Sequence, residues 1–214
     1  GNDHLPWYRL RPGVVPPLYA AHLAFGELAA VGPPGTGRFR ADRTGELIDF
    51  SLTPDGAVRY LNAPSDLSAL PVGTRCRFHL YQDDAGAFTR ASLVTDEATD
   101  LITNGAVWRV EALDLGAGKL LAARQPPAVK NDQGDTEQPP DVGRAELRVG
   151  PETRFWKGDR GAAARDLVVG DLLLVNVTGD RPGRPSRCTD VWVGTDTHKS
   201  VIDRQARKAS PPKG

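Results

Sequence analysis

The chain has 214 residues, 39% of them hydrophobic and 25% charged, with 27 basic side chains against 27 acidic ones. That is the composition of a folded protein of one large or two small domains, and the charge balance excludes a global field that would draw it onto nucleic acid or an anionic membrane. Eighteen Pro and 23 Gly exclude long helices, because helix interiors tolerate neither, and no apolar run reaches the roughly 20 residues that a membrane-spanning helix needs.

Residues 1–35 read as an irregular N-terminal arm. Leu5-Pro6-Trp7-Tyr8 and Pro12-Gly13-Val14-Val15-Pro16-Pro17 cannot continue a helix. Residues 18–28 predict a short helix or an approach strand, and Gly32-Pro33-Pro34-Gly35 breaks the chain ahead of a strand-rich unit at residues 36–103. There, strands at 38–42 and 46–52 flank the turn Arg43-Thr44-Gly45. Pro54-Asp55-Gly56 is expected to turn the chain, since Pro presets φ and Gly supplies φ > 0. A third strand at 57–61 leads into a loop or one-turn helix, with Pro64-Ser65-Asp66 as a candidate cap. Residues 74–81 alternate cleanly, which marks a half-buried antiparallel strand. Cys76, Phe78 and Leu80 fall on one face and Arg75, Arg77, His79 and Tyr81 on the other. The turn Asp83-Asp84-Ala85-Gly86 feeds a strand at 88–95.

Residues 104–197 follow the same order. Strands at 107–113 and 119–124 meet across Gly116-Ala117-Gly118. Residues 125–143, with four Pro and a net acidic charge, read as an exposed or partly disordered insertion. Strands resume at 146–149 and 153–156, an Ala-rich helical turn follows at 158–166, and strands at 171–177 and 187–193 close the unit. Residues 198–214 form a basic tail in which a helix begins near Val201 and stops at Pro211-Pro212. The absence of any Met, the initiator included, reads as a processed or trimmed product.

The two units share more than their order. Leu70-Pro71-Val72-Gly73-Thr74 returns as Leu167-Val168-Val169-Gly170-Asp171, and Arg90-Ala91-Ser92-Leu93-Val94 as Arg187-Cys188-Thr189-Asp190-Val191. Such a repeat decides architecture before any single residue does. Five strands with a short helical turn between the third and fourth is the order of an OB-like barrel. The fold class expected is all-β: two tandem small OB-like β-barrels behind an irregular arm, packed through the apolar strand of the second. The Leu-x-x-Gly-Asp pattern before an alternating strand resembles the OB-type repeats of secreted bacterial proteins. Tyr60-Leu61-Asn62-Ala63-Pro64, with Arg154-Phe155-Trp156-Lys157-Gly158 further on, is similar to a family of uncharacterised secreted bacterial proteins with such barrels. The resemblance spans about residues 5–200. It implies a secreted or periplasmic location and brings no activity, cofactor or catalytic residue with it.

Candidate chemistry is sparse. His4, His22, His79 and His198 are scattered without metal-ligand spacing, and no cofactor is expected. Asp83-Asp84 and residues 132–135 are better explained as turn chemistry than as a calcium loop. No Gly-x-Ser-x-Gly elbow is present. Gly32-Pro33-Pro34-Gly35-Thr36-Gly37 lacks the Lys-Ser/Thr of a phosphate loop. Glu46, Asp49 and Asp190 are strand carboxylates that read as solvated, not as an acid–base pair. Cys76 and Cys188 read as two buried thiols, with a bridge between the units as the alternative. The best functional signal is the outward arginine face: Arg75, Arg77, His79 and Tyr81, with Arg59 and Arg90 on neighbouring strands and Tyr60 and Phe88 as stacking platforms. Trp108, Trp156 and Trp192 could stack on sugars but read more naturally as core. The expected function is a non-catalytic binding or scaffolding module whose partner is a protein or envelope component. Binding of a single-stranded nucleic acid or oligosaccharide through Arg59, Arg75, Arg77, His79, Tyr81 and Arg90 is the alternative.

Overall fold

The computed structural model describes residues 8–130, 136–137 and 143–209. The fold is all-β, a closed five-stranded barrel beside a second, seven-stranded sheet. After a 3₁₀ turn at Leu18–Ala20, the barrel is built from β1 (His22–Val31), β2 (Thr36–Ala41), β3 (Leu47–Tyr60), β5 (Arg75–Gln82) and β6 (Phe88–Asp96), with β4 (Ala63–Ser65) as an appendage on β3. The order β2-β1-β5-β6-β3 is closed by pairing of β2 with β3, and the one parallel contact in the ring is β3 with β6. Closure removes the open edges that an isolated sheet would present.

Three rings fill the barrel. Phe78 stacks on Phe39 at 4.1 Å, and Phe50 meets Phe78 edge-on at 5.2 Å. So small a cylinder admits them only where the wall is thin. A Cβ on Gly26 would sit 2.4 Å from the Arg40 carbonyl oxygen and 2.7 Å from the Phe39 ring.

The first strand revises the expected arm. β1 lies inside residues 1–35 yet pairs with both β2 and β5, so the barrel begins at His22. Residues 8–17 form no helix and add only an isolated bridge at Arg9; residues 1–7 lie outside the described residues. A second revision concerns Pro54-Asp55-Gly56, which does not end a strand. β3 runs through it as a wide bulge, taking five steps from Leu52 to Ala57 where β6 takes two from Ala91 to Leu93. Pro fits because a bulge needs no ladder donor there.

At the end of β6, Asp96 caps α1 (Glu97–Thr103) by accepting from the Thr99 amide at 3.3 Å. The second sheet follows: β7 (Val107–Asp114), β8 (Lys119–Gln125), β11 (Arg144–Arg148), β12 (Arg154–Lys157), β13 (Arg160–Ala162), β14 (Leu172–Val177) and β15 (Cys188–Val193), ordered β11-β8-β7-β14-β15-β12-β13. Within the expected insertion, β9 (Val129–Lys130) pairs with β10 (Thr136–Glu137), and residues 131–135 and 138–142 lie outside the described residues. The tail is not simply solvated. α2 (Thr195–Ala209) starts before the expected Val201, ahead of the tail's expected start at residue 198, and buries Thr197 and His198.

One hydrogen-bonded turn occurs in both sheets. Gly73 donates to the Leu28 carbonyl at 2.8 Å and Leu28 donates to Thr74 at 2.9 Å. Gly170 donates to Val110 at 2.8 Å and Val110 donates to Asp171 at 2.9 Å. Both glycines sit at positive φ, +92° and +95°, where a side chain would be strained. Each turn follows a 3₁₀ turn, Leu67–Ala69 or Ala164–Asp166. β12 runs parallel to β15 as β3 does to β6. The difference is at the break: β3 is continuous, whereas β11 and β12 are separated by the bend at residues 149–153.

Candidate binding site

The six predicted residues do not share one surface. Along β6, Arg90 is paired with Tyr81 and Ser51, while Thr95 is paired with Arg77 and Arg59. Five residues of strand separate these two rows, about 16 Å at ~3.3 Å per residue. Arg59, Arg75 and Arg77 therefore lie at the end of the barrel that carries α1. Tyr81 and Arg90 lie at the opposite end, with His79 between.

At the α1 end the arginines are already engaged. Arg75 contacts Asp42 at 2.6 Å and Glu97 at 3.2 Å, and its guanidinium lies 4.7 Å from the Phe25 ring centre. Arg77 contacts Asp100 at 2.8 Å. Arg59 donates to Asn62 Oδ1 at 3.0 Å. This end is the seam between the two units. Asp42 accepts from the Asp180 amide at 3.2 Å, and Glu27 accepts from the Gly179 amide at 3.2 Å. Arg181 and Arg184, in the loop between β14 and β15, lie 3.5 Å and 3.8 Å from Glu27. The sequence cannot show this pairing because every acidic partner is distant along the chain.

Under the seam lies a buried polar network. Asp96 is fully buried and accepts from the Leu61 amide at 3.2 Å and from Asn176 Nδ2 at 2.8 Å, as well as from the Thr99 hydroxyl. Asn176 Oδ1 accepts from the Ala98 amide at 2.9 Å, so β14 of the second sheet grips α1 of the first unit. Leu61 and Asn62 form the two-residue turn between β3 and β4, both at positive φ, 50° and 62°. That geometry suits Asn and not Leu. It persists because Leu61 is buried in the second unit's core and both turn amides are bonded, Asn62 to the Thr99 hydroxyl at 2.8 Å. Burial pushes the carboxyls of Asp96, Glu97 and Asp100 above the usual range. Thr99 and Asn176 oppose this at Asp96, Arg75 at Glu97 and Arg77 at Asp100.

Tyr81 corrects the expected alternation. It is 1% exposed because the N-terminal segment covers it. Its hydroxyl donates to the Pro17 carbonyl at 2.6 Å, Tyr8 meets its ring edge-on at 5.8 Å, and Arg9 bridges to Gln82. Tyr81 is thus the anchor of a strap and not part of an open face. His79 is half-buried, and burial, then the neighbouring Arg77, lowers its pKa. The stacking platforms are engaged too: Phe88 stacks on His22 at 4.5 Å, and Tyr60 packs against both cores.

Two concave surfaces remain at the strap end, and Arg90 lines both. One is a groove of about 630 Å³ across the outer face of β2, β3 and β6, where Arg38 and Asp49 form a two-bond pair at 2.6 Å and 3.0 Å beside Ser51. The other is a cleft of about 750 Å³ between the strap, the β3 bulge and the β5–β6 turn. Arg9, Arg11 and Arg90 line the cleft and make no ion pair among the described residues. Thr53, in the bulge, is 5% exposed and its hydroxyl has no hydrogen-bond partner among the described residues. Sequence reasoning found Arg90 but not Arg9, Arg11, Arg38 or Thr53. Nothing in the sequence places residues 9–16 over the bulge, which itself reads as a turn.

The remaining candidates resolve into structure. Asp190, read as solvated, is 3% exposed and held by Arg154 through bonds of 2.8 Å and 2.9 Å. It lies in the other sheet from Asp49 and Glu46. Trp192 is buried, and Trp156 beside it is 37% exposed. Asp83 accepts from the Ala85 and Ala87 amides, both at 2.9 Å, as a turn residue. Cys76 and Cys188 are buried free thiols, one in each core, and burial pushes the Cys188 thiol up to about 12. Among the described residues no three His, Cys, Asp or Glu side chains gather as metal ligands. Among the described residues no helix is long and apolar enough to cross a membrane. In comparison with known proteins, no family model, no curated protein and no solved structure matches this chain.

Proposed function

We propose that the chain is a non-catalytic binding module built from two tandem OB-like barrels, with its ligand face on the outer surface of β2, β3 and β6 of the first. The observation that carries this reading is the groove lined by Arg38, Asp49, Ser51 and Arg90. Closed five-stranded barrels of this strand order take extended ligands across the second and third strands and the adjoining loops. The second unit, clamped through Asp96, Asn176 and Leu61, acts as a rigid base. The perturbed carboxylates support a scaffold better than an enzyme, since Asp96, Glu97 and Asp100 are committed to the seam. The resemblance to secreted bacterial proteins supports a place in the cell envelope or extracellular space. Localisation of the tagged chain to the cytosol of its native cell would count against that part.

Chemical-shift mapping of a bound oligosaccharide or single-stranded oligonucleotide tests the face. Perturbations are expected at residues 36–51 and at Arg90. Perturbations confined to Arg75, Arg77 and His79 would overturn the assignment. A ligand recovered shortened or modified after incubation would overturn the non-catalytic reading.

A further inference from the structure

From the cleft beneath the strap we infer a binding site for a carboxylated oligosaccharide, a short chain of uronic-acid type. This inference rests on reading the first barrel as a binding module and goes beyond it, because the cleft is a second surface that shares only Asp83 and Arg90 with the groove. Three observations meet at one place. Arg9 and Arg11 on the strap and Arg90 on β6 line the cleft without ion-pair partners among the described residues, while Arg75, Arg77 and Arg38 elsewhere on the same barrel are paired. Guanidinium forks match carboxylates in two-bond geometry. Thr53 lines the same cleft, and its buried hydroxyl has no hydrogen-bond partner among the described residues; such a group is costly to leave unbonded. The strap is fixed at both ends, by Arg9 at Gln82 and by Pro17 at Tyr81, so the cleft is formed before any ligand arrives.

The lining also chooses among anions. Pro12, Val14 and Pro54 give an apolar wall that suits the C–H face of a sugar ring, and Asp55 and Asp84 supply acceptors for hydroxyl groups. Asp83 lines the cleft as well, and a uronic-acid chain offers these acceptors hydroxyl donors on every ring, which the backbone of a DNA strand lacks. Among the described residues no aromatic side chain lines the cleft, and unspecific binding of single strands depends on base stacking.

The test is fluorescence anisotropy of the full chain with labelled oligogalacturonate at low salt, alongside a neutral malto-oligosaccharide and oligo-dT of matched length. Oligogalacturonate is expected to bind best. Arg90→Ala and the double variant Arg9→Ala/Arg11→Ala should each weaken it by about tenfold or more. Thr53→Val should weaken binding several-fold while leaving the melting temperature unchanged or raised, which a purely structural hydroxyl would not do. Equal binding of the neutral chain, unaffected by the arginine variants, overturns the inference and leaves the module standing. Tighter binding of oligo-dT overturns it in favour of nucleic acid. No binding of any probe overturns it as well, and the module then falls only if shift mapping also finds no ligand face.

Discussion

The two ends of the first barrel carry the same kind of residue and use it differently. At the α1 end, Arg75 and Arg77 meet Asp42, Glu97 and Asp100, and the loop between β14 and β15 closes over them. At the strap end, Arg9, Arg11 and Arg90 face an open cleft that Asp55, Asp83 and Asp84 also line, and they make no ion pair among the described residues. The contrast teaches that an arginine row on a strand is not in itself a binding face. What separates the two ends is whether a second element of the same chain brings carboxylates to the row.

The contrast can be broken most sharply at Asp96. Asp96→Ala would leave the Leu61 and Thr99 amides and the Asn176 side chain unsatisfied in the seam, and should cost about 3 kcal/mol in urea unfolding. A loss no larger than that of a surface substitution would show that the seam does not hold the units together. Leu61→Ala should cost about 2 kcal/mol, because the side chain fills the second core. Leu61→Gly would recover part of that by relieving the positive φ.

The arginines themselves give the direct comparison. Arg75→Ala or Arg77→Ala should cost about 1 kcal/mol, the pairs being partly screened by solvent. Arg90→Ala should stay within about 0.5 kcal/mol while abolishing most ligand binding. Similar stability losses at both ends would erase the distinction.

The seam should also differ in its response to pH. The folded-state pKa values of Asp96, Glu97 and Asp100 are raised, so the folded chain takes up protons before the unfolded one. Their contribution is fully favourable below the usual carboxylate range and fades as pH rises through the raised values. His198 acts in the opposite sense. Burial lowers its pKa, so the unfolded chain takes up the proton first, and stability from the α2 dock falls as pH drops below about 6.5. His198→Gln should flatten the loss near pH 6 in thermal melts, and Asp96→Asn should flatten the gain at lower pH. The smallest expected signal is at the thiols. Cys76 and Cys188 should resist labelling in the native state and both label on unfolding.

Much of the framework was legible. The alternation of Cys76, Phe78 and Leu80, the turns at Gly45 and Gly118, and the strands at 74–81, 88–95, 107–113 and 119–124 are local patterns, and the structure holds them within a residue or two. The N-terminus of α1 was legible in principle, since Asp96 before Glu97 is a start signal and Asn104-Gly105 a stop. β1 was ambiguous because apolar residues at 18–28 fit a helix or a strand equally well. The bulge at residues 53–56 was read as a turn because Pro-Asp-Gly has the same local chemistry in either setting; pairing with β6, distant in sequence, decides between them. The burial of Tyr81 escaped the alternation rule for the same reason, since the strap that covers it comes from residues 8–17.

The sequence by itself determined an all-β chain with buried cysteines, because periodicity and turn residues act over a few positions. Only the tertiary structure decided which arginines are neutralised, which tyrosine is covered and where a cleft stays open. Those properties depend on charges and backbone segments that meet across tens of residues of chain, and the free energy of an ion pair or a buried hydroxyl is set by what surrounds it in space.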